Sequence, residues 1–253
     1  MPSSAAMRPG LLVRALVLSV LLLPAAPALA KPAAALVTGL PHVAQRVAQA
    51  RPLRIVAFGS SSTEGVGASA PGATYPSRLQ VFLHAALPVP VAVTNAGIGG
   101  EDADDMARRI PAVVALHPDL VIWQTGSNDP LRGVPLDRFV ARTRDGIAAF
   151  RAAGIDVMLM EQQDCDVLRG HADALAYRDA LRQIAAELHV PLVRRYDLMH
   201  EWIAEGLLTR AQMLYTDGLH MTDGGYAQLA RAVAAQILHL LGPARPRMAQ
   251  AGP

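Results

Sequence analysis

The chain is poor in cysteine, with Cys165 the only one among 253 residues. A single cysteine excludes an intramolecular disulfide, so the fold has to be stabilised by its hydrophobic core. A nucleophilic cysteine needs surroundings that favour the thiolate, whereas Asp164 and Asp166 flank this one with negative charge. We therefore interpret Cys165 as an unreactive side chain.

The chain also lacks an excess of charge. Two of its 23 basic residues, Arg8 and Arg14, lie in an N-terminal segment described below, and without them 21 basic residues stand against 21 acidic ones. A neutral protein gives no electrostatic reason to expect nucleic acid or an anionic membrane surface as a partner. None of the 8 histidines has a second histidine or a cysteine at a spacing typical of zinc ligands, so we expect no metal.

The apolar run near the N-terminus is short. It extends from Ala15 to Leu23, nine residues, whereas a membrane-spanning helix needs about 20. A basic start precedes this run, and the small-residue site Ala28-Leu29-Ala30 follows it, which is the arrangement of a secretory signal peptide. We predict cleavage near Ala30 and export to the periplasm or the medium, without a stable membrane anchor.

No Ser/Gly-rich linker divides the chain, and its length suits a single α/β domain. We expect a signal peptide over residues 1–30, an N-terminal lead-in over 31–50, one folded domain over 51–242 and a flexible tail over 243–253.

Short apolar runs alternate with longer segments of helical periodicity throughout that domain. This alternation predicts an α/β fold, in which helices cover both faces of a parallel sheet. In such sheets the ligand site lies beyond the carboxyl ends of the strands. The predicted strands are Ile55 to Phe58, Val89 to Thr94, Leu120 to Gln124, Ile155 to Met160 and Pro191 to Val193, and the predicted helices are Tyr75 to Ala86, Ala103 to Leu116, Leu136 to Ala152, Ala172 to Leu188 and Asp223 to Leu241.

The first predicted strand is followed by the segment Gly59-Ser60-Ser61-Ser62-Thr63-Glu64-Gly65. A turn of this composition before a helix can present a hydroxyl at the helix N-terminus or hold an anion on its backbone N–H groups. The spacings typical of phosphate loops and of dinucleotide-binding loops are both absent. A turn whose serines only cap a helix remains an alternative.

Potential hydrogen-bond donors follow the next two strands. Asn95 to Asp102 contains three glycines in four positions, which lets the backbone approach a ligand closely. In Gly126-Ser127-Asn128-Asp129-Pro130, the amide of Asn128 can donate to a developing negative charge. Each segment taken alone is also compatible with an ordinary turn.

A fourth segment, Asp217-Gly218-Leu219-His220, precedes the last predicted helix. An aspartate three residues before a histidine can accept the imidazole N–H, which orients the ring and stabilises its charged form. Together the four segments supply a nucleophile, donors for an oxyanion and an oriented base, which is the set of groups that acyl transfer requires.

These four segments resemble the conserved blocks of the SGNH, or GDSL, hydrolase family and occur in the family's order. The resemblance implies that Ser61 is the nucleophile, that Asp217 and His220 complete a triad, and that Gly100 and Asn128 form the oxyanion hole with the N–H of Ser61. The first block departs from the family pattern, with Ser60 and Ser62 in place of Asp and Leu. The resemblance also implies a flavodoxin-like, three-layer α/β/α sandwich of about five parallel strands, and makes residues 51–242 an SGNH hydrolase domain.

The predicted function is that of an exported carboxylic ester hydrolase that needs no cofactor. Aromatic residues make up only 4% of the chain, Trp123 lies in a predicted strand, and a polar span from Gln162 to His171 follows the fourth strand and is a candidate pocket lining. These features favour small-molecule or polysaccharide esters with short acyl groups, such as acetyl esters of carbohydrate. An O-acyltransferase and a non-catalytic polysaccharide-binding module are the alternatives.

Overall fold

Five parallel strands form the central sheet of the protein, in the order β2-β1-β3-β4-β5. The structure is a computed structural model that describes residues 39–242. The predicted signal peptide, the first part of the lead-in and the predicted tail therefore lie outside the described residues. The strand order is that of flavodoxin-like folds. The strands are β1 (Leu53–Gly59), β2 (Val91–Gly97), β3 (Leu120–Gln124), β4 (Asp156–Met160) and β5 (Leu192–Val193).

Helices lie on both faces of this sheet, which confirms the predicted three-layer α/β/α architecture. The eleven described helices are α1 (Pro41–Ala48), α2 (Ser61–Glu64), α3 (Tyr75–Ala86), α4 (Ala103–Val114), α5 (Asp129–Arg132), α6 (Leu136–Ala152), α7 (Asp166–Arg169), α8 (Ala174–Glu187), α9 (Arg195–Ala204), α10 (Arg210–Met213) and α11 (Asp223–Leu241). The bounds of α3, α6 and α11 are those that the sequence predicts. Between residues 39 and 242, no helix is both long and apolar enough to cross a membrane.

The core has two halves because successive strand residues point to opposite faces of the sheet. In β3, Leu120 and Ile122 join a cluster that includes apolar residues of α3 and α11, whereas Val121 and Trp123 join a cluster built with α4, α6 and α8. The Trp123 side chain is fully buried and packs edge-on against Phe150, with 5.9 Å between ring centroids. This tryptophan of the predicted third strand therefore belongs to the core.

Helix α1 lies within the predicted lead-in and packs onto the sheet. Leu40 and Val43 are fully buried in the cluster that contains α3 and α11. The backbone N–H of Val43 donates to Oδ2 of Asp156 over 3.0 Å, and Arg46 pairs with Asp119 over 2.8 Å. The core therefore includes residues that precede position 51.

Asp129 connects the end of β3 to helix α4 from a fully buried position. Its Oδ1 accepts a hydrogen bond from the backbone N–H of Ala103, the first residue of α4, over 2.9 Å. Burial raises the pKa of Asp129 to about 6, and the negative charge of Asp102 acts in the same direction against the hydrogen bond from Ala103. The other carboxyl oxygen has no hydrogen-bond partner among the described residues.

Asp129→Asn should therefore change how stability depends on pH. A folded-state pKa above the ordinary 3.8 means that the stability from the neutral carboxyl is fully present below pH 4 and is lost as pH rises through about 6. The difference corresponds to roughly 3 kcal/mol. Urea unfolding should give the wild type and the variant similar free energies of unfolding near pH 4. Near pH 7 the variant should have the higher free energy of unfolding. A difference that does not change with pH would contradict this assignment.

Candidate functional site

Ser61 occupies the first position of α2, directly after β1 ends at Gly59. Two glycines allow the tight packing that this turn requires. A Cβ at Gly59 would lie 2.3 Å from Oγ1 of Thr63, and a Cβ at Gly97, the last residue of β2, would lie 2.0 Å from the backbone nitrogen of Glu64. The short helix is thus fixed against the carboxyl ends of β1 and β2, where the predicted site lies.

The structure separates the three consecutive serines. The hydroxyl of Ser60 donates to Oε1 of Gln124 over 3.0 Å, away from the other site residues. Ser62 is 1% exposed. Only Ser61 has its hydroxyl beside a histidine: its Oγ lies 2.9 Å from Nε2 of His220.

Asp217 and His220 form a closely coupled pair. Oδ2 of Asp217 lies 2.6 Å from Nδ1 of His220, and Oδ1 accepts the backbone N–H groups of Leu219 and His220, each over 2.9 Å. Burial on its own would raise the pKa of Asp217, but the hydrogen bonds from His220 and Leu219 outweigh it and lower the pKa. The carboxylate is thus held in its charged form, which is the form that orients an imidazole.

The segment that carries this pair is a turn closed by backbone hydrogen bonds. Leu214 and Met221 form an isolated antiparallel bridge, and the N–H of Tyr215 donates to the carbonyl of His220 over 2.8 Å. Gly218 sits at the tip with φ of 68°, a conformation that glycine adopts without strain. We call residues 215–220 the base loop.

The predicted oxyanion donors lie on neighbouring loops. The amide nitrogen of Asn128 donates to the carbonyl of Glu101 over 2.7 Å, which leaves its second hydrogen for another acceptor. Gly100 precedes Glu101 with φ of 77°, and its carbonyl accepts from Arg132 over 2.8 Å. A Cβ at Gly99 would lie 3.8 Å from Cβ of Ser61, so this loop runs beside the serine. The structure thus brings all five predicted site residues to one edge of the sheet.

Sequence reasoning missed the connecting role of three polar residues beneath this site, of which only Gln163 fell within the candidate pocket lining. Gln124, Gln163 and Arg195 are almost completely buried and connect the segments around Ser61, Asn128 and His220 through side-chain hydrogen bonds. A glutamine at the end of an apolar strand was the available signal for Gln124. The contact between Gln163 and Arg195, which are 32 residues apart, has no signal in the sequence.

The polar span after β4 lines a cavity of about 170 Å³ together with Leu175 and Tyr196. Cys165 lies in its wall, and burial raises the pKa of this thiol, with the charges of Asp164 and Asp166 acting in the same direction. Within residues 39–242, no group of three or more His, Cys, Asp or Glu side chains is arranged to hold a metal ion.

Comparison with known proteins gives similarities over most of the chain. An arylesterase from Vibrio mimicus is 25% identical over 150 residues, which cover 58% of this chain and 70% of the relative. A protein from Escherichia coli named as a thioesterase, protease and lysophospholipase is 26% identical over 150 residues, which cover 59% and 68%. The structure of an acetyl-xylooligosaccharide esterase variant from Geobacillus stearothermophilus has 25% identity and a TM-score of 0.62, and the match covers 73% of this chain and 94% of that one.

A family model described as the non-GDSL lipase-like family matches residues 26–241. This match includes every described strand and helix, from α1 to the end of α11 at Leu241. The first block of this chain, with Ser60 and Ser62 beside Ser61, is not G-D-S-L, in keeping with the name of that family. The chain therefore belongs to the non-GDSL lipase-like family of SGNH/GDSL-type hydrolases and is a carboxylic ester hydrolase.

Proposed function

We propose that the protein is an exported serine esterase that removes short acyl groups, such as acetyl, from carbohydrate esters through Ser61, His220 and Asp217. The observation that carries this proposal is the pair of hydrogen bonds along the three side chains, 2.9 Å from Ser61 to His220 and 2.6 Å from His220 to Asp217. Ser61 and His220 are 159 residues apart in sequence. Their alignment supports a nucleophile, a base and an orienting carboxylate that act together.

In the first half of the proposed reaction, Oγ of Ser61 attacks the ester carbonyl carbon while Nε2 of His220 takes the hydroxyl proton. Asp217 stabilises the imidazolium that forms. The negative charge that develops on the carbonyl oxygen is met by the Asn128 amide, the Gly100 N–H and the N–H of Ser61 at the start of α2. Collapse of the tetrahedral intermediate breaks the ester bond, and His220 gives its proton to the leaving alcohol.

In the second half, the acyl group is held as an ester of Ser61. His220 takes a proton from water as its oxygen attacks the acyl carbon, and the same donors stabilise the second oxyanion. Return of the proton to Oγ of Ser61 releases the carboxylic acid and restores the enzyme. Apart from the substrate and water, the proposed cycle uses only side chains and backbone groups of this chain.

The proposal of a short acyl group rests on the apolar surface around Ser61 and on a relative. Val66 and Ile98, whose backbone N–H groups donate to the carbonyls of Ser61 and Gly59 over 3.0 Å each, are 38% and 45% exposed. Two such side chains offer a small apolar contact, suited to an acetyl group rather than to a long chain. The match to an acetyl-xylooligosaccharide esterase supports carbohydrate as the alcohol part, whereas the name of the Escherichia coli relative points to lipid substrates.

Replacing each serine of the triplet should separate their roles. Ser61→Ala should abolish hydrolysis of p-nitrophenyl acetate because no other hydroxyl of the triplet lies beside His220. Ser62→Ala should retain most activity and is the matched control. Ser60→Ala removes a buried hydrogen bond to Gln124 and should cost stability while leaving turnover measurable. Loss of all turnover in Ser60→Ala with activity retained in Ser61→Ala would show that Ser60, and not Ser61, is the nucleophile.

A chain-length series tests the substrate. If the proposed acyl site accommodates only a short group, kcat/KM should be highest for acetyl esters and fall from butanoyl to octanoyl esters. Acetylated xylooligosaccharide should release acetate. Rates that rise with chain length would refute the short-acyl proposal, and acyl transfer to added sugar in preference to water would identify the acyltransferase instead.

Export is tested by the N-terminus of the mature protein. Mass measurement of the chain recovered from the periplasm or the medium should give a start near Lys31, as the site Ala28-Leu29-Ala30 predicts. An intact Met1 in a membrane fraction would contradict export by cleavage.

A further inference from the structure

A buried series of hydrogen bonds begins beneath the nucleophile. Oε1 of Gln124 accepts from the backbone N–H and from the hydroxyl of Ser60, each over 3.0 Å. Because a backbone N–H can only donate, it fixes which end of the Gln124 amide faces Ser60. The other end, Nε2, donates to Oγ of Ser127 over 3.1 Å. Gln124 thus links the residue before Ser61 to the residue before Asn128.

Gln163 continues the series to the base loop. Since Oγ of Ser127 accepts from Gln124, its own hydrogen is directed to Oε1 of Gln163, 3.2 Å away. Arg195 also donates to this Oε1, and an arginine has no acceptor. Nε2 of Gln163 therefore faces the opposite way, where it donates to the carbonyl of Leu219 over 3.1 Å. Leu219 directly precedes His220.

The series is rigid because it is excluded from water. Gln124 and Arg195 are fully buried, and Gln163 is 2% exposed. Burial lowers the pKa of Arg195 to about 10, so the guanidinium remains charged at neutral pH and holds Oε1 of Gln163 with a charge-assisted hydrogen bond. A buried polar group that loses its partner costs roughly 1–3 kcal/mol, so each amide is confined to one orientation.

The base loop receives its external support from the segment after β4. Besides the bond from Gln163, the N–H of Val167 donates to the carbonyl of Gly218 over 3.3 Å. A change in the Gln163 contact would move the Leu219-His220 backbone while leaving the local Asp217–His220 pair intact. The distance that would suffer is the 2.9 Å between His220 and Ser61.

We propose that Gln163, oriented by Arg195, is a positioning residue that sets the base loop relative to Ser61 through the carbonyl of Leu219. This inference rests on the proposed function, because it concerns the proton transfer between Ser61 and His220. The alternative is that Gln163 only accepts a hydrogen bond from the buried Arg195, whose Nε and Nη1 have no partner among the described residues. The two explanations differ in which atom of Gln163 matters: Nε2 for positioning, and Oε1 for satisfying Arg195.

Gln163→Glu separates these explanations. Glutamate keeps an acceptor for Arg195 and Ser127 but cannot donate to the carbonyl of Leu219 while it is ionised beside the guanidinium. We expect unfolding by urea to be little changed, KM for p-nitrophenyl acetate to be close to that of the wild type, and kcat to fall on the order of 10²-fold, the cost of a small misplacement of reacting groups. The rate of Ser61 labelling by a serine-directed phosphonate should fall in parallel.

Gln236→Glu is the matched control, since Gln236 also donates an amide hydrogen to a carbonyl, that of Leu192, over 3.0 Å and outside the site. Its kcat should be that of the wild type. Should Gln163→Glu fail to fold, Gln163→Met, which is similar in size and uncharged, should show the same loss of kcat at unchanged KM.

A folded Gln163 variant with wild-type kcat and labelling rate would overturn the positioning role, and so would failure of both Gln163 variants to fold, which would make Gln163 a requirement of the core. An inactive wild-type protein would refute the proposed esterase function instead. If the wild type is active and the Gln163 variants are equally active, only the positioning role of Gln163 would be refuted.

Discussion

The hydrogen bond between Ser61 and His220 is the contact on which the arrangement of the site depends. It joins the end of β1 to a turn before the last helix, so it forms only if the sheet order, the tight turn at Gly59 and the base loop are all correct. A proton can pass directly between a hydroxyl and an imidazole only at hydrogen-bond distance. The surrounding structure therefore serves to hold Oγ of Ser61 and Nε2 of His220 2.9 Å apart.

Three kinds of support converge on it. Glycines at the ends of β1 and β2 let α2 approach the sheet, so that Ser61 projects from the carboxyl edge. The local turn from Asp217 to His220 orients the imidazole. Buried amides beneath both segments connect them through Gln124 and Gln163. Only the turn from Asp217 to His220 is local in sequence. The other two supports depend on tertiary packing, since Gly97 contacts Glu64 from a different strand and the buried amides join segments between Ser60 and Leu219.

The sequence predicts the parts of this molecule that depend on local pattern. Continuous apolar runs locate the strands, and strong helical periodicity gives the bounds of α3, α6 and α11. The carboxyl ends of parallel strands lie together, which predicts that the segments of Ser61 and Asn128 share one edge, and the family resemblance implies that His220 joins them. The four-residue helices are too short to show periodicity, and α9 is polar along much of its length, so none of these was predicted.

Side-chain partnerships across the core were beyond prediction. The composition of the Ser60-Ser61-Ser62 triplet cannot show which hydroxyl turns inward to Gln124, since that depends on the geometry of the turn after β1. Likewise, Arg195 is charged and gives no sign in the sequence that it is fully buried against Gln163. The burial of Leu40 and Val43, within the predicted lead-in, also depends on the sheet surface that they cover.

The most direct test of the account is whether Asp217 and His220 act as one unit in proton transfer. Turnover of a model ester at saturating substrate would be measured for Asp217→Asn, His220→Ala and the double variant. We expect Asp217→Asn to lower kcat by orders of magnitude, up to about 10⁴-fold, and the double variant to be little worse than His220→Ala alone. Additive losses, or near-wild-type turnover by Asp217→Asn, would contradict the account.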